Sequence, residues 1–179
     1  MNNMNDKTEN KYIHRMELDD YYFSYSDKLK VSSVTKNNLL FNRESFINRS
    51  NATLELFEDR LLVGLSNEFN FGYVLQRPVF DFAGSYYFVD FYIPKFFLCV
   101  KIVRGDYELE KQNWKSKNTN FKQFYKRILK PSEMLNSHKT ITLTAYEIYN
   151  ERKFIWQALM EWFYEFKAPN FRSKKQRLV

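Results

Sequence analysis

Several residue types are scarce in this chain of 179 residues, and each scarcity excludes a class of structure. A single cysteine, Cys99, excludes an intramolecular disulfide and a cysteine-based zinc knuckle. Four glycines and four prolines argue against Gly-rich loops and repeat arrays, and no internal repeat is seen. The two histidines, His14 and His138, lack ligand-spaced partners, and no glycine-rich phosphate loop or Ser/His/Asp spacing is found. Carboxylates, lysines and aromatic side chains are therefore the remaining candidates for function.

Uninterrupted apolar segments are also missing. Residues 1–6 carry no apolar signal-peptide core. The longest apolar stretch, residues 86–103, contains Asp90, Pro94, Lys95 and Lys101, so it predicts a β-hairpin rather than a membrane span. We expect an intracellular, cytoplasmic protein with no membrane partner, in a host cell if the chain is viral.

Aromatic residues and positive charge are abundant. The hydrophobic content of 44% is enough for a core, and aromatic residues make up 19% of the chain. Residues 111–179 hold 15 basic and 5 acidic residues, a net charge of +10, whereas residues 1–110 hold 13 and 16, a net charge of −3. A basic half with interleaved aromatics favours a phosphate-rich partner, here DNA, although a solvated basic face is the alternative. The candidate phosphate contacts are Lys111, Lys115, Lys117, Lys122, Lys126 and Arg127.

The periodicity of apolar residues predicts the order of the elements. Helical spacing covers residues 51–65, 111–130 and 154–166, and strand patterns cover residues 72–80, 86–93, 96–103 and 139–144. This order of helix, three strands, helix, strand and helix predicts an α/β sandwich with a central mixed sheet flanked by helices. We expect a polar N-terminal arm and irregular lead-in over residues 1–50, one domain over residues 51–168 and a basic tail over residues 169–179.

The hairpin carries two charged residues at positions where strands of this kind are apolar. Asp90 lies in the first strand and Lys101 in the second, and charges are disfavoured there unless they are paired or bind a ligand. Side chains on adjacent strands can point to the same face, and Glu58 of the first helix can approach that face from the side. The sequence therefore predicts a cluster of Glu58, Asp90 and Lys101. The alternative is a cross-strand salt bridge between Asp90 and Lys101 on a half-exposed sheet.

Around these residues, short motifs recur in a fixed order. Glu58 is followed by Leu61 and Leu65, and then come Gln76-Arg77-Pro78, Tyr87-Phe-Val-Asp-Phe91, Tyr92-Ile-Pro-Lys-Phe-Phe-Leu98 and Thr142-Leu-Thr144. In this order and spacing the chain resembles the very-short-patch-repair-like branch of the PD-(D/E)xK nuclease superfamily, over residues 51–166. The resemblance implies a restriction-endonuclease-like fold, a magnesium ion on Asp90 and nucleic-acid contacts that include Gln76 and Arg77. It also implies catalytic roles for Glu58, which would assist, and Lys101, which would stabilise the phosphate or orient water.

The second acidic motif of that family is changed in this chain. Where the family reads Ile-Glu-Ile-Asp-Gly, the chain reads Val100-Lys-Ile-Val-Arg-Gly105, and a shift of register by two places Cys99 at the position of the acid. Either Asp106, Glu108 or Glu58 completes the site, or the Lys101 ammonium pairs with Asp90 and takes the place of the metal.

These alternatives give three hypotheses for the function. The first is a magnesium-dependent DNA endonuclease or nickase. The second is a pseudo-enzyme, in which a catalytically silent nuclease fold acts as a DNA-binding or structural subunit of a larger assembly. The Asn- and Lys-rich composition would suit a virus or a mobile element. The third is a subunit that has no contact with nucleic acid and whose polar N-terminal arm orders on a protein partner.

Overall fold

A computed structural model describes residues 11–16, 52–80, 86–103, 105–117, 119–129, 134–135 and 138–167 of the chain.

The first long helix carries an irregular turn in its middle. Helix α1 (Ala52–Phe57) continues through a π-helical turn (Glu58–Leu62) into helix α2 (Val63–Phe69). The helix extends past the predicted end at residue 65 and closes at Asn70, whose φ of 49° lies in the left-handed region that Asn tolerates.

Within the described residues six strands form one mixed sheet, and the sequence predicted its mixed character and four of the six strands. They are β1 (Arg15–Met16), β2 (Tyr73–Phe80), β3 (Tyr86–Ile93), β4 (Leu98–Val103), β5 (Met134–Leu135) and β6 (His138–Thr144). The order across the sheet is β1-β2-β3-β4-β6-β5, with β1 parallel to β2, β4 parallel to β6, and the other neighbouring pairs antiparallel. Strand β1 belongs to the segment predicted to be a loose arm, so residues 11–16 of that segment are part of the domain.

The predicted hairpin of β3 and β4 is confirmed, and together with β2 these strands form a meander. The connection between β3 and β4 is a 3-10 turn (Pro94–Phe96) that ends at Phe97, whose φ of 49° is left-handed. Phe91 faces Val100 across the two strands, and Ile93 faces Leu98.

The basic segment predicted as one helix is in fact two. Helix α3 (Tyr107–Ser116) begins at Asp106, whose carboxylate accepts a hydrogen bond from the Leu109 N–H at 3.0 Å. Helix α4 (Phe121–Leu129) begins after Asn120, whose side chain accepts from the Gln123 N–H at 3.0 Å. Asn120 favours a new helix start over continuation because its side chain satisfies a backbone donor of the first turn.

Two further helices complete the described part of the chain. Helix α5 (Ala145–Asn150), which we did not predict, follows β6 directly, and helix α6 (Arg152–Lys167) is the predicted final helix. None of the helices in the described ranges combines the length and the apolar character that a membrane crossing requires.

The two faces of the sheet carry separate apolar clusters. The larger cluster includes Tyr73, Phe91, Val100 and residues of α1, α2, α4 and α6 such as Phe163. The smaller cluster contains Val74, Val79, Val89, Tyr92 and the buried Cys99. Because successive side chains of a strand point to opposite faces, Val100 and Cys99 lie on opposite faces of the sheet, and each marks the face of its own cluster.

Candidate functional site

Glu58 is held in a dense set of hydrogen bonds. It opens the π-helical turn and is only 5% exposed. The Arg15 guanidinium donates to Oε1 from Nε at 3.0 Å, and from Nη2 to Oε1 and Oε2 at 2.8 and 2.7 Å. The Tyr73 hydroxyl donates to Oε1 at 2.7 Å. Strand β1 and strand β2 therefore both fix the orientation of this carboxylate.

The protonation states of these partners are also fixed. Burial, and then the hydrogen bond to Glu58, raise the pKa of the Tyr73 hydroxyl far above its ordinary value. Burial lowers the pKa of Arg15, but the hydrogen bond and the charge of Glu58 outweigh that effect, so the net shift is upward. The tyrosine thus remains a neutral donor and the guanidinium remains a cation.

Asp90 lies in the interior of the sheet. Its side chain is 6% exposed, and Oδ2 accepts a hydrogen bond from the Ile102 N–H of β4 at 2.6 Å. On its other side, the ladder with β2 runs from Leu75 paired with Phe91 to Arg77 paired with Val89. Asp90 therefore lies between two ladder pairs, and its carboxylate takes a strand N–H that a main-chain carbonyl would otherwise bind.

Lys101 lies on the other side of the sheet from Glu58. It is exposed, and its ammonium lies 5.7 Å from the centroid of the Tyr87 ring, which packs on the smaller cluster. The hydroxyl that binds Glu58 belongs to Tyr73 of the larger cluster, on the face that Val100 and Ile102 share. The predicted cluster of three is therefore not assembled: the structure places Glu58 and Lys101 on opposite faces of the sheet.

The remaining acids named from the sequence serve at the start of α3. Asp106 is the N-cap of this helix, and Glu108 lies 3.7 Å from the ammonium of Lys111 one turn later. The buried ion pair between Asp90 and Lys101 is also not formed, since Lys101 is exposed.

Among the described residues, no three His, Cys, Asp or Glu side chains form a group that could hold a metal ion. Magnesium needs converging oxygen ligands, and Glu58, bound through both oxygens to Arg15, does not fit that requirement.

Gln76 and Arg77, predicted to contact nucleic acid, lie in the interior. Gln76 is 7% exposed and adopts a φ of 47°, which is uncommon for a residue with a side chain. Arg77 is 1% exposed, and its guanidinium stacks 4.1 Å from the centroid of the Tyr92 ring. In this conformation neither side chain is at a surface where a nucleic acid could reach it.

The other predicted phosphate contacts lie on α3, on α4 and just beyond α3. Lys115, Lys117, Lys122 and Lys126 are exposed, and none of them has an ion-pair partner among the residues that the structure describes. Lys111 and Arg127 are instead paired with Glu108 and Glu147. Four of the eight predicted contacts are therefore unpaired cations at the surface.

Helices α3 and α4 also border a cavity of about 560 Å³, which the sequence reasoning missed. Its lining residues from α3 are Glu110, Asn113 and Trp114, followed by Lys117 and Thr119; those from α4 are Gln123, Phe124 and Arg127; and those from the start of α5 are Thr144 and Glu147. The sequence did carry one signal of this site, the Thr-x-x-Glu pattern of a helix capping box at Thr144 and Glu147.

That capping box fixes the orientation of two lining side chains, Thr144 and Glu147. Thr144 Oγ1 accepts from the Glu147 N–H at 3.3 Å, and Glu147 Oε2 accepts from the Thr144 N–H at 2.9 Å. Arg127 donates a hydrogen bond to the other carboxylate oxygen of Glu147. Burial raises the pKa of Glu147, and the charge of Arg127 and the bonds to Thr144 partly offset that rise.

Comparison of the chain with protein-family models, with curated proteins and with solved structures finds no match. The interpretation of these sites therefore depends on their geometry.

Proposed function

We propose that this protein binds nucleic acid through helices α3 and α4 and does not cleave it. The observation that carries the proposal is a set of four exposed lysines that have no ion-pair partner in the described part of the chain: Lys115, Lys117, Lys122 and Lys126. Residues 107–129 hold six basic and two acidic residues, a net charge of +4. Such a surface attracts phosphates without regard to sequence, because bound counterions are released when lysines neutralise the backbone.

The absence of cleavage is supported by the environment of the carboxylates. A catalytic magnesium would need Glu58 or Asp90 as an open oxygen ligand. Glu58 instead binds Arg15 and Tyr73, and Asp90 accepts the Ile102 N–H. Lys101, on the opposite face from Glu58, is not placed to assist it.

The finer fold assignment is part of the same proposal. The helix with Glu58, the meander with Asp90 and the closing helix α6 follow the order that the resemblance to the PD-(D/E)xK nucleases requires. We infer a nuclease-like fold that has lost its metal and serves as a cytoplasmic DNA-binding subunit.

Binding is tested by a matched pair of charge reversals. Fluorescence anisotropy with labelled duplex and single-stranded DNA, over a series of salt concentrations, gives the slope of log K against log salt. Lys122→Glu/Lys126→Glu is expected to weaken binding. It should also make that negative slope shallower by about 1.4 to 1.8, since each phosphate contact contributes about 0.7 to 0.9 to its magnitude. Arg152→Glu/Lys153→Glu, the same change of charge on exposed residues of α6, is the control and should leave the slope unchanged.

Equal loss in both double variants would indicate a non-specific response to net charge, and no binding of the wild type at low salt would overturn the proposal. Cleavage is tested separately by incubating supercoiled plasmid with magnesium or manganese. Nicking by the wild type that is lost in Asp90→Ala would restore the endonuclease hypothesis.

A further inference from the structure

The cavity between α3 and α4 is lined by an aromatic ring, two side-chain amides and an exposed cation, Lys117. Trp114 is half-buried and is packed against the rings of Phe124, Tyr146 and Phe154, with centroids 5.9, 6.0 and 5.9 Å away. These contacts hold the indole in place while it also lines the cavity. The volume of about 560 Å³ lies within the range of about 300 to 1,000 Å³ typical of small-molecule sites.

The two amides that line the cavity, those of Asn113 and Gln123, are available for binding. Both residues are exposed, and within the described ranges no hydrogen bond engages either side-chain amide. Asn and Gln amides carry both donors and acceptors, so they match the polar edge of a nucleobase.

Four charged residues line the cavity, and they differ in exposure and in partners. Glu147 is 3% exposed and already binds the exposed Arg127 and the Thr144 N–H, and Glu110 accepts from the Tyr146 N–H, whereas Lys117 is exposed and has no ion-pair partner among the described residues. A buried carboxylate disfavours a phosphate in the interior but can accept a hydrogen bond from an exocyclic amine of a base. A phosphate is instead favoured at Lys117, outside the interior.

From this arrangement we propose that the cavity takes one unpaired nucleotide of a single strand. The base stacks on Trp114, Asn113 and Gln123 hydrogen-bond its edge, and Lys117 binds the adjoining phosphate. A base inside an intact duplex cannot enter, since its faces are covered by neighbouring bases. The inference rests on the proposed function and narrows it to single-stranded nucleic acid.

The test compares three labelled oligonucleotides of equal length by anisotropy with the full chain: single-stranded DNA, its duplex, and a strand with abasic sites that keeps the phosphates but has no bases. Single-stranded DNA should bind at least five-fold more tightly than the abasic strand. Equal binding of all three oligonucleotides would agree with binding through the basic surface alone and would overturn the cavity proposal. No binding of any of them would overturn both proposals.

Variants locate the effect in the cavity. Trp114→Leu should weaken binding to single-stranded DNA by about 5- to 150-fold, the range of one stacked base, and leave the abasic strand unaffected. Trp114→Phe, which keeps a stacking ring, should retain part of the affinity. Trp156→Phe, on α6 and outside the cavity lining, is the matched control.

Because Trp114 also contacts core rings, Asn113→Ala/Gln123→Ala provides a second variant at exposed positions where folding is not at risk. It should lower the affinity for single-stranded DNA several-fold with unchanged thermal unfolding, and unchanged affinity would overturn the proposed base contacts. Adenosine monophosphate at millimolar concentration is the last arm. If adenosine monophosphate binds as tightly as the oligonucleotide, the cavity is a small-molecule site, and the proposed binding of a nucleic-acid strand is overturned.

Discussion

Arg15 binds both carboxylate oxygens of Glu58 at 2.7 and 2.8 Å and so ties a two-residue edge strand to the π-helical turn of the first long helix. The two residues are 43 positions apart in the chain. Together with the pairing of β1 with β2 and the Lys11–Asp59 ion pair, this contact connects the described part of the N-terminal segment to the domain, and it occupies both oxygens of the Glu58 carboxylate.

The pair should be important for stability. Arg15→Ala leaves the buried Glu58 charge without its cation, and removal of one partner of a buried pair typically costs about 3–5 kcal/mol. We expect a smaller loss of about 2–3 kcal/mol in the free energy of unfolding by urea, because the Arg15 side chain is 37% exposed.

Two variants serve as controls for that measurement. Lys11→Ala breaks the exposed ion pair between Lys11 and Asp59 and should lower the free energy of unfolding much less than Arg15→Ala does. Arg15→Ala/Glu58→Gln removes the unpaired charge and should recover part of the loss. Equal stability of Arg15→Ala and the wild type would show that the pair contributes nothing.

Tyr125 should make stability fall at alkaline pH. Burial, and then Glu165, raise its pKa from 10.0 to about 12. The folded state therefore holds the proton more tightly than the unfolded state, so this contribution is complete below pH 10 and is lost as the pH rises from 10 to 12.

Urea unfolding at several pH values between 9 and 12 measures that loss. Tyr125→Phe should flatten the alkaline decline, and Glu165→Gln, which removes the negative charge of the side chain whose oxygen lies 3.1 Å from the hydroxyl, should shift it to lower pH. An identical decline in all three proteins would contradict the assignment.

The start of α5 should depend on its capping box. Thr144→Ala removes the acceptor for the Glu147 N–H and should lower the free energy of unfolding by about 1 kcal/mol, the usual cost of losing an N-cap. Thr144→Ser keeps the hydroxyl and should cost less than half of that. A larger effect of Thr144→Ser than of Thr144→Ala in the same urea titration would exclude a capping role.

Asp90 should protect the backbone of β4. Asp90→Ala removes the acceptor of the buried Ile102 N–H, which costs about 1–3 kcal/mol when no partner replaces it. Asp90→Asn keeps an acceptor oxygen, so we expect a smaller loss. Amide hydrogen exchange is the measurement: Ile102 should exchange faster in Asp90→Ala, and an unchanged rate would mean that the hydrogen bond is not formed in solution.

Local periodicity was sufficient to predict most of the fold. The alternating and helical patterns located β2, β3, β4, β6 and α6, because each pattern requires only neighbouring residues. The break between α3 and α4 was missed, because Asn120 acts as a helix start only when its side chain turns back to the Gln123 N–H.

The candidate site was harder to predict than the fold, since it depends on which face each side chain takes. The sequence correctly placed Asp90 and Lys101 on adjacent strands, β3 and β4, but the side of the sheet that Glu58 approaches depends on the packing of Phe57 against Phe91. No sequence pattern indicated that Arg15, so distant in the chain, would bind Glu58.

The π-helical turn at Glu58–Leu62 has a consequence for how this helix tolerates changes in length. Such a turn is equivalent to one residue added to an α-helix, with the Val63 N–H bonded to the Glu58 carbonyl five residues earlier. Deletion of the exposed residue Arg60 would convert the π-helical turn to a regular α-helical turn, while the side chains of Leu54 and Leu65 keep their directions. Loss of the equally exposed Glu55, in a regular turn, would rotate one end of the helix by about 100° and take its apolar residues off the core.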